Sequence, residues 1–146
     1  MLEVTKTIEW DMGHRIPNHN GQCRYPHGHS YKLEVTIKGT PITTKGASDE
    51  GMLIDFSDLK KILKEKIQSV LDHRFIIAEE DHFFRNALGE EVSRELKIVY
   101  MPFIPTSENL IVWCYEQIKD ELPAHLHCSK LRLYESNSSW SEYNPK

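Results

Sequence analysis

The sequence predicts an α+β domain, organised as strands, then helices, then strands. Three observations predict it. Residues 29–38 alternate strictly, with Tyr31, Leu33, Val35 and Ile37 on one face and Lys32, Glu34, Thr36 and Lys38 on the other. That is the period of a half-buried antiparallel strand. Leu59, Ile62, Leu63, Ile67, Val70 and Leu71 recur with the 3.6-residue period of a helix, as do Leu110, Trp113, Cys114, Ile118 and Leu122. No repeat or linker divides residues 1–146, and 146 residues is an ordinary single-domain length.

Each element has its own local reason. Residues 2–10 alternate loosely and continue towards Asp11-Met12-Gly13-His14 as a first strand. The alternation of 29–38, extended backwards, places His29 and then His27 on the apolar side. The turn-rich stretch 39–50 reads as an exposed loop. Met52–Phe56 is predicted as a third strand, followed by the first helix with Asp55 or Ser57 as N-cap. That helix delivers Asp72-His73 at its end. Residues 79–96 suggest a helix broken near Gly89, and Lys97–Met101 a short strand. Pro105-Thr106-Ser107-Glu108-Asn109 opens the second strong helix with Thr106 as N-cap. Lys130–Glu135 is the last clear strand, with Leu131, Leu133 and Glu135 on one face.

Composition narrows the function classes. Hydrophobic residues make up 39% and charged residues 27%, as in soluble globular domains. A formal net charge of −4 argues against non-specific nucleic-acid binding, which needs a basic face. No apolar run approaches the length of a membrane span, and the N-terminus lacks a charged-then-apolar signal pattern. A cytoplasmic protein without nucleic-acid or membrane partners is expected. Cys23, Cys114 and Cys128 are an odd set with irregular spacing and read as thiols.

The chemistry concentrates in Cys23-x-x-x-His27-Gly28-His29, with His14 upstream. Alternate strand residues project to one side, so His27 and His29 can reach one ion, and His14 on a neighbouring strand supplies a third imidazole. Three neutral nitrogens with an open fourth position make a catalytic zinc site. Cys23 as a fourth ligand would instead make a closed structural site. Two hydrogen-bonded histidines on a strand are the plainest alternative. Asp72-His73 offers a carboxylate that can orient an imidazole, or merely a helix end. Glu135 shares an apolar face, where a bare carboxylate is costly; the ring N–H and amine of a guanine or pterin would suit it, and a strand-end residue that simply reaches solvent is the equal alternative. His125-x-His127-Cys128 reads as an exposed loop, and His19 and His82 as surface residues.

Together these residues resemble the 6-pyruvoyl-tetrahydropterin synthase superfamily, and within it the bacterial 6-carboxy-tetrahydropterin synthases of the queuosine pathway. The resemblance runs from the His14 strand to Glu135. It implies that His14, His27 and His29 hold Zn2+, that Cys23, Asp72 and His73 are catalytic, and that Glu135, Thr106 and Ser107 bind the pterin. Gly51–Phe56 matches the segment that ends in Asp-Phe before the first helix. Three residues separate Cys23 from His27, as in the carboxy-pterin branch. The animal pyruvoyl-pterin enzymes have a longer gap, and a folate-pathway branch has glutamate in place of this cysteine.

The implied fold is a four-stranded antiparallel sheet with two main helices on one face, the tunnelling fold, closing into barrels as homohexamers with sites between subunits. The implied reaction converts 7,8-dihydroneopterin triphosphate to 6-carboxy-5,6,7,8-tetrahydropterin, releasing acetaldehyde and triphosphate. A pyruvoyl-pterin synthase and a non-catalytic zinc protein are the alternatives. Arg15 is a candidate triphosphate contact. The chain departs from the family in having Ile76-Ile77 where Leu-Asn is frequent. The stretch 74–104 is longer than in the shortest members, which implies an extra helical insertion near the entrance.

Overall fold

The computed structural model describes residues 1–146. In chain order it contains β1 (Leu2–His14), β2 (His27–Gly39), a helix α1, β3 (Arg74–Ala78), α2 (His82–Glu95), β4 (Val99–Met101), α3 (Ser107–Ile118), β5 (Leu126–Ser136) and β6 (Ser139–Tyr143). Helix α1 runs through Phe56–Leu63, a π-wound turn at Lys64–Gln68 and a last turn at Ser69–Leu71. No helix is long and apolar enough to cross a membrane.

The six strands form one mixed sheet in the order β4-β3-β1-β2-β5-β6. The pairs β1–β2, β2–β5 and β5–β6 are antiparallel, whereas β1–β3 and β3–β4 are parallel. The expected four-stranded antiparallel sheet is therefore corrected to six mixed strands and three helices. The two added strands come from 74–104, where Ile76 and Ile77 are wholly buried in β3. Those residues form a short, continuous apolar run buried on both faces, without the alternation that marks a half-exposed strand.

Alternation along β1 and β2 decides where the core lies. Ile8, Trp10, Met12 and His14 are buried on β1, and Tyr31, Leu33, Val35 and Ile37 on β2. Leu59, Leu63, Ile67 and Leu71 of α1 join this core, as do Leu110, Cys114 and Ile118 of α3 and Leu131 and Leu133 of β5. Both helices thus cover the same face of the sheet. Val70, expected in the stripe, is exposed, and Ile111 takes a buried place.

The caps work as their side chains allow. Asp55 accepts from Ser57 N at 2.7 Å at the head of α1, and Thr106 from Asn109 N at 3.2 Å at the head of α3. Gly89 breaks α2 at φ 73°, ψ 169°. Met52–Phe56 is not a strand: Met52–Asp55 form turns, and Asp55 is the cap that ends them. His127 and Cys128 lie within β5, with Cys128 buried, instead of in a loop.

Candidate metal centre and active site

The β1–β2 register builds the site. It sets His14 opposite His27 and Met12 opposite His29, so the three imidazoles meet at one end of the core face. Their rings lie 4.6–5.2 Å apart, and one ligand atom from each falls within 4.8 Å of the others. This cluster could hold a metal ion.

Hydrogen bonding shows which nitrogens are free. His14 Nδ1 donates to the Pro105 carbonyl at 2.8 Å, and His27 Nδ1 to the Tyr25 carbonyl at 2.7 Å. A carbonyl can only accept, so in each neutral ring the proton sits on Nδ1 and Nε2 carries the lone pair. These two Nε2 atoms are 3.1 Å apart. His29 Nε2 is buried and has no hydrogen-bond partner.

Burial lowers the His14 pKa to about 4, against the opposing Pro105 hydrogen bond and with help from His27 and His29. Burial also lowers His29, against the pull of Glu135. Neutral, convergent lone pairs held by outer carbonyls are what a borderline divalent cation requires, so the donor set fits one. The residues that orient the rings, Pro105 and Tyr25, act through backbone carbonyls and left no signal in the residue types. Tyr31 lies beneath the cluster, stacked on Trp10, and its place was readable from the strand alternation.

Cys23 sits half-buried in a short 3₁₀ turn, Gln22–Arg24, and is not part of the converging group. The other two thiols are buried, and burial pushes Cys114 up, and Cys128 up to about 12. Glu135 is half-buried with Oε2 at 3.8 Å from His29 Nε2, so it faces the cluster from β5.

Ser107 bonds Ser141 Oγ at 2.5 Å, and Ser141 pairs with Leu133, two residues before Glu135. Thr106 and Ser107 are thereby tied to the strand pair that carries Glu135. Asp72 and His73 bond each other and make no hydrogen bond to the imidazole cluster. His73 Nδ1 bonds Asp72 Oδ1 at 2.8 Å, its backbone is left-handed at φ 57°, and its side chain is 78% exposed. No hydrogen bond or ring contact joins it to Cys23 or the three imidazoles.

His73 lines a cleft of about 720 Å³ with Asp11, Gly13, His29 and Ser30, walled by Phe84, Leu88 and Leu96 around α2, so the cleft reaches one of the three imidazoles. Arg15 does not stand free for a phosphate. Its guanidinium is taken up by Asp81, at 2.6 and 3.2 Å.

Comparison with known proteins gives a consistent picture. The family profile described as 6-pyruvoyl tetrahydropterin synthase matches residues 3–146. The chain is similar to the 6-carboxy-5,6,7,8-tetrahydropterin synthase of Haemophilus influenzae, 34% identical over 145 residues, which cover 98% of this chain and 99% of that protein. The protein of the same name from Rickettsia typhi is 32% identical over 146 residues, covering 97% and 99%. Among solved structures, an uncharacterized protein from Wolinella succinogenes aligns with a TM-score of 0.79 and 25% identity, covering 99% and 98%. The Caenorhabditis elegans 6-pyruvoyl tetrahydropterin synthase aligns at 0.69 and 21%, covering 99% and 96%, a likeness of fold.

Proposed function

The chain belongs to the 6-pyruvoyl tetrahydropterin synthase family, and we propose that it is a zinc-dependent lyase that converts 7,8-dihydroneopterin triphosphate to 6-carboxy-5,6,7,8-tetrahydropterin, acetaldehyde and triphosphate. One observation carries the reading: three neutral imidazoles converge in a chain that relatives named for this product match over nearly its full length. Zinc held by His14, His27 and His29 supplies Lewis acidity towards the side-chain oxygens of the substrate when bound.

The chain's own residues do the rest. Glu135 accepts from the ring N–H and exocyclic amine of the pterin, a charge-assisted pair that fixes the ring, with Thr106 and Ser107 alongside. Cys23, as thiolate, takes the proton from side-chain carbon 1′, where the electron pair left behind spreads into the adjacent ring C=N. His73, with Nδ1 committed to Asp72, has Nε2 free to move a proton at a side-chain oxygen. A closed structural site is disfavoured because Cys23 lies outside the converging group.

Assembly as a homohexamer completes the proposal, with barrels closed edge to edge and sites between subunits. Two features support it. β3 pairs with β1 only over Met12–His14, which leaves Leu2–Asp11 without a strand on that side, and β6 is the other sheet edge. The Asp72-His73 pair is also exposed, with no hydrogen bond or ion pair to any other proposed catalytic group. On this reading the protein works in the cytoplasm, in queuosine synthesis. Incubation with 7,8-dihydroneopterin triphosphate tests it: acetaldehyde and a carboxy-pterin by mass are expected. A pyruvoyl-pterin product would transfer the chain to the other branch, and an unconsumed substrate would end the proposal.

A further inference from the structure

Helix α2 is poorly held by apolar packing. Ser93 is its one buried residue, and Phe83 and Val92 point into solvent at 76% and 44% exposure, with Leu96 just beyond it at 58%. Its firm attachment is electrostatic. Asp81, whose side chain is 2% exposed, receives Arg15 Nε on Oδ2 and Arg15 Nη2 on Oδ1. The same Oδ1 caps α2 by accepting from Phe84 N.

The guanidinium lies 5.8 and 5.3 Å from the rings of Phe83 and Phe84. Phe84 stacks on Phe75, and Phe75 covers Gly13 so closely that a Cβ there would stand 2.6 Å from its ring. Arg15 directly follows His14 in the chain. Two elements thus meet at one ion pair: the end of the ligand-bearing strand, and the helix that walls the cleft containing His73.

We infer that Arg15 and Asp81 are positioning residues of the candidate metal centre. The fork pins the chain as it leaves His14, and it fixes α2 over the cleft. Asp81 also cancels the positive charge that Arg15 places one residue from a site for a dication, a charge that would otherwise repel the ion in a setting where water screens it little. The inference rests on the three-imidazole site proposed above, and zinc binding tests it apart from any pterin turnover.

Asp81→Asn keeps the side chain's size and its capping oxygen but removes the compensating charge. Zinc affinity of the chelator-stripped protein, measured by competition with a chromophoric chelator, is expected to fall by about tenfold, the low end of what losing a direct outer partner of a ligand costs, because Asp81 acts through Arg15. Amides of 82–95 are expected to exchange faster with solvent, while those of α3 hold their protection. Arg15→Lys, which keeps the charge and loses the fork, should speed exchange in α2 with a smaller loss of zinc affinity. It serves alone if Asp81→Asn does not fold. A folded Asp81→Asn with unchanged zinc affinity and unchanged α2 exchange overturns the inference; so does Arg15→Lys with unchanged α2 exchange. Failure of the wild type to bind zinc would instead remove the site itself.

Discussion

At the scale of single residues, the site divides into groups that hold and a group that reacts. His14, His27 and His29 are braced from outside by backbone carbonyls or lie buried, so their donor atoms point inward before any ion arrives. Cys23 has neither constraint. It sits half-buried on a 3₁₀ turn outside the converging group. A thiol that is not a ligand can be removed without releasing the metal. Cys23→Ala is therefore expected to keep a full complement of zinc by metal analysis and to lose product formation by two orders of magnitude or more, the scale of a lost general base (about 10²–10⁴). Loss of zinc along with activity would make Cys23 a ligand and revive the structural site.

At the scale of elements, what could be read from the residues tracked how local each signal is. Helices α1 and α3 were readable because a cap, a 3.6-residue stripe and a stop lie within one short stretch, and Thr106 caps α3 as its position implies. β2 was readable because one of its faces is wet. β3 was not, because Ile76 and Ile77 are both buried and alternation disappears. β6 escaped because Ser139–Tyr143 carries few apolar residues and owes its strand form to pairing with β5. For the site, strand period put His27 and His29 on one side, while His14 joined them through the resemblance, since its place depends on the β1–β2 register. The fate of Arg15 was not, since Asp81 is 66 residues away and only tertiary packing brings them together.

The break in α2 was legible from Gly89, and it allows a test of sign. In an ordinary helix interior Gly→Ala stabilises by about 0.5–1 kcal/mol. At φ 73°, ψ 169° only glycine is at ease, and nothing stands within 4 Å of an added Cβ, so the effect is purely one of backbone. Gly89→Ala should destabilise by about 1–3 kcal/mol in denaturant unfolding. A gain in stability would mean that α2 straightens at no cost.

At the scale of the whole molecule, one chain holds all the proposed groups, but no hydrogen bond or ion pair joins Asp72-His73 to Cys23. Cys23 belongs to the loop between β1 and β2, close to the imidazoles in sequence, whereas Asp72-His73 lies where α1 turns into β3, with an exposed imidazole on a cleft that His29 also lines. A relay that works on one substrate needs both within reach of it. Free edges on β1 and β6 offer the means: in the proposed hexamer, edge-to-edge pairing of copies would set one chain's α1–β3 corner beside another's β1–β2 loop. The consequence is genetic in form. Cys23→Ala and His73→Ala, each inactive alone, should recover part of the turnover when the two are unfolded, mixed and refolded together, since some sites then draw an intact thiol from one chain and an intact imidazole from the other. Light scattering should give a mass six times that of the chain for the wild type and for the mixture. A hexamer in which the mixture stays inactive would place Cys23 and His73 in the same chain's site and require α1 to move.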